Sequence, residues 1–169
     1  LPIALIRDGN PQIEVQDTGI KLKTRSQDAK EFVVRPDFDS KATLLKYYPG
    51  FDPEFITYLV EKGYRAIILE GTGLGHVSSD CFRQLREAVD SGTMVFMTSQ
   101  CIWGRTKMTV YETGRDLLDI GVIPLSNMIS ETALVKAMWT LANTKDIESA
   151  TQTMKENIAN EISMRIPIL

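Results

Sequence analysis

Histidine and cysteine are scarce in this sequence, which has one histidine and two cysteines among 169 residues. Metal centres and disulfide frameworks need clusters of these residues at short, regular spacings. Cys81 falls on a predicted helix and Cys101 in a predicted loop, and neither has a partner at metal-ligand spacing. The scarcity argues against a metal site and a disulfide-stapled fold, and it predicts a protein of the reducing cytoplasm.

Long apolar runs and an excess of positive charge are also missing. No run approaches the roughly 20 apolar residues that span a membrane, and the N-terminus lacks the pattern of a signal peptide. The net charge of −3 argues against an independent nucleic-acid binder, because such domains carry a dense basic face. The content of 43% hydrophobic and 24% charged residues is typical of a globular domain. The chain starts at Leu1-Pro2 without a methionine, so we expect it to be cut from a longer protein.

The order of predicted elements favours an α/β fold. Short apolar runs, predicted as strands, alternate with segments whose apolar residues recur at helical spacing. The predicted strands are 43–48, 66–69, 93–98 and 122–124, and the predicted helices are 53–62, one capped by Ser78 or Ser79, 115–120, one capped by Ser130, and 144–158. This alternation implies right-handed crossovers and an open parallel sheet of about four strands with helices on both faces. The sheet belongs to a predicted domain of residues 41–169.

Residues 1–40 are predicted to precede this domain as a short hairpin and an extended interdomain linker. Turn residues at positions 8–11 separate two apolar segments, Leu5–Arg7 and Ile13–Val15, which favours a hairpin. The rest of the segment is polar and weakly periodic, as expected of an arm that packs on a neighbour and has no core of its own.

The segment 66–80 gives the strongest functional signal. A buried strand ends in three glycines at alternate positions, Gly71, Gly73 and Gly75, followed by His76 and by residues that can cap a helix. At the carboxyl edge of a parallel sheet, glycines let the backbone approach a ligand, and a helix N-terminus behind them favours an anion. His76 replaces the last glycine of the dinucleotide pattern, and the Lys-Ser/Thr pair of a P-loop is missing. A nucleotide loop, another ligand loop and a purely structural turn are the alternatives.

His76 and Cys101 form a candidate catalytic pair, since both follow adjacent predicted strands and would meet at one edge of the sheet. A thiolate with a histidine base is one interpretation. The other is a small packed cysteine that has no third group to orient a base. Met108, Met128 and Met138 are predicted to fill the core.

Several motifs together resemble one family. They are Tyr48-Pro49-Gly50, the glycine segment 71–76, Thr98-Ser99-Gln100-Cys101, Tyr111-Glu112-Thr113-Gly114-Arg115, Gly121-Val122-Ile123-Pro124 and Ser130-Glu131-Thr132-Ala133. Their order and spacing resemble the C-terminal domain of type I L-asparaginases, over roughly the last two-thirds of the chain. Within that family, segments 71–76, 100–105 and 111–118 are most similar to the D subunits of the archaeal Glu-tRNA(Gln) amidotransferases.

The resemblance implies a two-domain amidohydrolase whose nucleophilic threonine and Thr-Asp-Lys group lie in an N-terminal domain. It therefore implies no catalytic residue and no metal ligand in this chain. Gly73, Gly75, His76 and Tyr111 would support the substrate site or the site of a partner subunit. His76 stands where the family commonly has asparagine, and Glu70 stands where some type I enzymes have an arginine that binds an effector amino acid.

The resemblance also implies partners. Glutamine or asparagine would be hydrolysed in a homodimer, and ammonia would pass to a tRNA-binding kinase/transamidase subunit that uses ATP and magnesium to convert Glu-tRNA(Gln) to Gln-tRNA(Gln). No cofactor is expected in this domain, tRNA would be bound through the complex, and no membrane is involved. The alternatives are a plain L-asparaginase and a ligand-binding α/β module without catalysis.

Overall fold

The computed structural model describes Leu5–Arg7, Asn10–Gln12 and residues 33–163. The chain divides into two compact units, one that contains the hairpin and one that spans Arg35–Met164. The predicted boundary between residues 40 and 41 stays a prediction. Within the described ranges, no helix is both long enough and apolar enough to cross a membrane.

The hairpin consists of β1 (Leu5–Arg7) and β2 (Asn10–Gln12), which pair antiparallel with Arg7 opposite Asn10. Its second strand was predicted at Ile13–Val15, which lies outside the described residues, and it starts at Asn10 instead. Two residues, Asp8 and Gly9, then separate the strands in the sequence. The antiparallel pairing of the two strands confirms the predicted hairpin, with its second strand earlier in the chain than predicted.

The main unit is built on a four-stranded parallel sheet in the order β3-β4-β5-β6. The strands are β3 (Ala42–Lys46), β4 (Ala66–Gly71), β5 (Met94–Ser99) and β6 (Ile123–Pro124). The register places Ala42 beside Ala66, and Ala66 beside Met94. Since neighbouring strands in this unit are sequential and parallel, each connection must cross over the sheet through a helical segment. The predicted α/β class and strand number are confirmed.

Within residues 33–163, five α-helices cover the sheet: α1 (Glu54–Glu61), α2 (Phe82–Asp90), α3 (Glu112–Ile120), α4 (Ser130–Asn143) and α5 (Ile147–Lys155). Helix α1 ends before Gly63 and α3 ends at Gly121, and both glycines have positive φ, of 73° and 105°. Such left-handed residues end helices because they turn the chain away from the helix axis. Helix α3 begins at Glu112, three residues before the predicted start at Arg115.

The sheet has a separate apolar layer on each face. Ile67 and Leu69 of β4 point into a core shared with α1, α2 and α3, whereas Ala66 and Ile68 point into a core shared with α4 and α5. This alternation is the two-residue period of a strand buried on both sides. Met108 lies in the first core and Met128 in the second, and Met138 packs against the second, as predicted.

Three helix details differ from prediction. Ser130 was expected to cap α4, but it is the first helical residue, and its hydroxyl pairs with Thr98 Oγ1 of β5 at 2.9 Å in the buried interior. The apolar residues at helical spacing predict that Phe55 of α1 and Val135 of α4 face the core, yet both are 53% exposed. Smaller residues of α4, Ala133 and Ala137, occupy the face against the sheet, and they allow the helix to lie close to it.

Candidate functional site

The carboxyl ends of β4 and β5 lie side by side, and three segments meet there. They are the glycine turn (residues 71–76), the loop after β5 (residues 99–104) and the start of α3 (residues 111–114). In open parallel sheets this edge is where ligands bind. We call the group formed by Gly73, Gly75, His76, Tyr111 and Thr113 the carboxyl-edge site.

The glycine turn closes on itself. The amides of Gly75 and His76 both donate to the Thr72 carbonyl, at 2.9 and 3.0 Å, and the Thr72 amide donates to the His76 carbonyl at 2.9 Å. Gly73 and Gly75 have φ of 51° and 96°, a conformation that residues with a Cβ rarely adopt. A Cβ on Gly75 would also lie 2.9 Å from Met97 Cγ. These donors are therefore satisfied inside the turn and do not form a row of amides for a phosphate.

The predicted cap at Ser78 is confirmed, but it caps a 3-10 turn that precedes α2 and not α2 itself. A short 3-10 turn (Ser79–Cys81) comes first, with the Ser78 hydroxyl accepting from the Asp80 amide at 3.4 Å, and α2 begins only at Phe82. The geometry therefore lacks the close strand-glycine-helix connection of nucleotide-binding loops. Of the three alternatives for this segment, the nucleotide loop loses its support.

His76 contacts the start of α3 through both its ring face and its Nδ1 atom. Nδ1 lies 3.2 Å from Thr113 Oγ1, and the imidazole meets the Tyr111 ring in an edge arrangement with centroids 5.3 Å apart. Its other nitrogen, Nε2, is buried and has no hydrogen-bond partner in the described structure. Two predicted site residues, His76 and Tyr111, are thus brought together, although their role in a site stays a prediction.

Gly114 and Thr113 are the residues of this cluster that sequence reasoning missed. A Cβ on Gly114 would lie 2.2 Å from the Met108 carbonyl oxygen and 3.0 Å from His76 Cε1. Only glycine lets α3 approach the histidine this closely. The signal was present as a glycine within the predicted approach to α3, where it is unfavourable for a helix unless packing requires it.

The loop after β5 is tied to the glycine turn by side chains. Ser99 Oγ donates to the Gly73 carbonyl at 2.5 Å and accepts from the Cys101 amide at 3.0 Å. The Gln100 amide donates to the Gly71 carbonyl at 2.9 Å, and Gln100 Nε2 donates to the Glu70 carbonyl at 3.1 Å. The two loops therefore form one rigid edge.

The thiol-histidine pair does not form. His76 Nδ1 pairs with Thr113, the Cys101 backbone pairs with Ser99, and no hydrogen bond joins His76 to Cys101. Cys101 is exposed, whereas burial raises the pKa of the Cys81 thiol to about 11, with the charge of Asp80 adding to the effect. Among the described residues, no group of three or more His, Cys, Asp or Glu side chains could hold a metal ion. The interpretation of Cys101 as a nucleophile loses its geometric basis.

A polar pocket of about 480 Å³ opens beside this edge. Lys46 and Glu70 form an ion pair of 3.2 Å in its wall, and the side chains of Ser99 and Gln100 contribute to its lining. It joins the ends of β3, β4 and β5 to the start of α4. Polar atoms form a larger share of its wall than of the wall of an apolar groove on α4.

The fold and this edge have known counterparts. The family described as the glutaminase/asparaginase C-terminal domain matches residues 41–154, which include the whole parallel sheet and the carboxyl-edge site. The chain belongs to this family. The structure of the thermostable L-asparaginase from Thermococcus kodakarensis superposes with a TM-score of 0.76 at 29% identity, over 96% of this chain and 48% of that one.

More similar sequences carry a more specific name. The D subunit of the glutamyl-tRNA(Gln) amidotransferase of Sulfolobus acidocaldarius is 44% identical over 96% of this chain, and that of Pyrococcus furiosus is 48% identical over 82%. The chain is homologous to these subunits. It spans about a third of their length, 35% of the first and 32% of the second.

Proposed function

We propose that this chain is the C-terminal domain of a glutaminase/asparaginase-type subunit of a Glu-tRNA(Gln) amidotransferase. The observation that carries the proposal is the 44% identity to an amidotransferase D subunit across 96% of the chain, against 29% for the thermostable L-asparaginase. This identity extends beyond the parallel-sheet domain into the preceding residues.

In this proposal the domain supports amide hydrolysis and does not perform it. The nucleophilic threonine belongs to the part of the longer protein that this chain does not include. The carboxyl-edge site then faces the active site of a second copy in a homodimer, and the rigid connection between Ser99 and Gly73 keeps its loops in position. Rigid support matters because small displacements of substrate-positioning groups cost large factors in rate.

The ammonia released from glutamine or asparagine would pass to a tRNA-binding subunit. That subunit would activate Glu-tRNA(Gln) with ATP and magnesium. The net charge of −3 supports placing the RNA chemistry on the partner, because a domain that binds nucleic acid usually carries a dense basic face.

The test is to mix the full-length protein with the tRNA-binding subunit, Glu-tRNA(Gln), ATP and magnesium. We expect Gln-tRNA(Gln) to form only when glutamine or asparagine is present as amide donor. Omitting the tRNA-binding subunit is the control. Asparagine hydrolysis at full rate without the partner, combined with no Gln-tRNA(Gln) in its presence, would instead identify a plain L-asparaginase.

The L-asparaginase alternative has its own support, since a solved L-asparaginase shares the fold with a TM-score of 0.76. The ligand-binding module without catalysis has less, because three amides of the glycine turn, those of Thr72, Gly75 and His76, are used within the turn. A full-length protein that hydrolyses neither amide, with or without the partner, would favour that module.

A further inference from the structure

His76 is oriented inward, and this excludes the simplest role for it. Its Nε2 atom is buried without a partner in the described structure, so this nitrogen cannot reach a substrate or a neighbouring subunit unless the ring turns out of its place. The ring is held there by the edge contact with Tyr111 and by the close approach of Gly114. The side chain that reaches the outer surface must therefore be another one.

The burial of Nε2 determines which of His76 and Thr113 is the donor in the hydrogen bond between them. A proton on Nε2 would bury an N–H group without an acceptor, and such groups are rare in folded proteins. In the tautomer with the proton on Nδ1, the buried Nε2 is an acceptor without a donor, and no N–H group is left unpaired. Nδ1–H can then donate to Thr113 Oγ1, which lies 3.2 Å away. The hydroxyl hydrogen of Thr113 must then point away from His76.

Thr113 is exposed, and its hydroxyl makes no other hydrogen bond in the described part of the chain. It lies two residues after Tyr111, which is 59% exposed and packs against the same histidine. The oxygen of this hydroxyl accepts a hydrogen bond from the imidazole, and its hydrogen is directed away from the ring. The hydroxyl is therefore a preorganised donor. Its complement is an acceptor oxygen, of the kind found in carboxylates and amides.

We infer that Thr113 is the residue through which the carboxyl-edge site contacts an acceptor oxygen, and that His76 is the positioning residue that orients its hydroxyl. The inference rests on the proposed function and gives this edge a specific role within it. The acceptor oxygen belongs either to the bound amide substrate or to the neighbouring subunit beside it.

The test uses the full-length protein and its glutamine and asparagine hydrolysis. In Thr113→Val, which has nearly the same shape but no hydroxyl, we expect either KM or the dimer dissociation constant to rise roughly tenfold or more while the melting temperature stays unchanged. Thr113→Ser should restore the affected constant, because it keeps the donor. Thr109→Val is the matched control: Thr109 is also exposed near the start of α3, but its hydroxyl does not contact His76.

A double-mutant cycle separates positioning from direct contact. His76→Ala alone should raise the constant that Thr113→Val affects, KM or the dimer dissociation constant, several-fold. Combined with Thr113→Val, it should add nothing, because an orienting residue has no effect once the group it orients is gone. Equal costs of His76→Ala in both backgrounds would overturn the positioning role.

The source of the oxygen follows from a second measurement. A rise in KM at unchanged dimer affinity in sedimentation assigns the oxygen to the substrate, and a weaker dimer at unchanged KM assigns it to the neighbouring subunit. Unchanged KM and unchanged dimerisation in Thr113→Val would overturn the inference while leaving the proposed function intact. A wild-type protein without amide hydrolysis would overturn both.

Discussion

Gly114 sets how closely α3 approaches the glycine turn. A methyl group there would lie 2.2 Å from the Met108 carbonyl oxygen, so α3 or the chain around Met108 would have to move. We expect Gly114→Ala to destabilise the chain by about 1–3 kcal/mol, the usual cost of overpacking, although alanine is the better helix former by roughly 1 kcal/mol. Thermal unfolding measures the loss, and an unchanged or raised melting temperature would contradict the packing argument.

Gly50→Ala is the control for this experiment. Gly50 also resists substitution, because its φ is 87°, but a Cβ there meets nothing within 4 Å. It should therefore cost stability without disturbing the site. The single histidine of the chain gives one imidazole NMR signal, which should shift in Gly114→Ala and not in Gly50→Ala.

At the scale of residues, the sequence identified the loop that contains the candidate site, but it did not identify which side-chain atoms face outward from it. The position of His76 after the glycines marked it as a site residue, and the structure does place it beside Tyr111. Its inward direction could not be predicted, because it depends on the approach of α3, a contact 37 residues away in sequence. The contact of Thr113 with His76 could not be predicted for the same reason.

Among the elements, β5 and α4 are joined by a buried pair of hydroxyls. Thr98 is 0% and Ser130 4% exposed, and their oxygens lie 2.9 Å apart. Ser130→Ala should cost about 1–3 kcal/mol, because it leaves the Thr98 hydroxyl buried without its partner. The double variant Thr98→Val with Ser130→Ala should recover most of that stability in urea unfolding. A double variant as unstable as the sum of the two single variants would argue against this pairing.

The residues after α5 contact α4 and so form a second connection between elements. We call this segment the C-terminal strap (residues 156–163). Lys136 of α4 forms an ion pair of 2.6 Å with Glu161 of the strap, with both side chains 7% exposed, and also donates to the Glu156 carbonyl. Burial acts to raise the pKa of Glu161, but hydrogen bonds from Lys136 and from backbone amides including those of Ala159 and Ile158 outweigh it and lower the pKa to about 2.

This pKa shift predicts an acid-sensitive contribution to stability. The folded-state pKa of about 2 lies below the ordinary 4.5, so the unfolded chain binds the proton more readily. The stabilisation is therefore complete above about pH 4.5 and is lost as the pH falls towards 2. Urea unfolding from pH 6 to 3 should show a smaller pH dependence in Glu161→Gln, which should also be less stable at pH 6 because Lys136 loses its charged partner. Glu131→Gln, an exposed carboxylate on the same helix as Lys136, should behave like the wild type.

The elements were predictable where a local pattern decides them. The apolar runs of β4 and β5 and the glycines after α1 and α3 carry their own signals. The roles of Ser130 and Gly114 were not local, because a hydroxyl in the core and a glycine in a helix are explained only by what packs against them. Tertiary contacts overrode the capping and helix-propensity rules at both positions.

At the scale of the whole molecule, the described residues form a parallel-sheet fold in which the histidine and the exposed cysteine are not assembled into a catalytic pair. His76 is paired with Thr113, and no hydrogen bond joins it to Cys101. We therefore expect the isolated chain to release no ammonia from glutamine or asparagine. The assay should be run on dialysed protein together with Cys101→Ala. Turnover that survives dialysis and disappears in Cys101→Ala would contradict this expectation.

The last prediction concerns self-association through the exposed edge. Ile102 and Trp103 lie at the tip of the loop after β5 and are 72% and 60% exposed, next to a rigid stem held by Ser99. Large apolar side chains on an exposed loop are typical interaction anchors, and tryptophan is enriched among the residues that contribute most to binding. We expect the chain to dimerise at high concentration, and Trp103→Ser to weaken dimerisation roughly tenfold or more in sedimentation equilibrium. Tyr58→Ser, an exposed aromatic residue on α1, should have no effect. A wild-type chain that stays monomeric at every concentration would show that this edge cannot hold two copies together by itself.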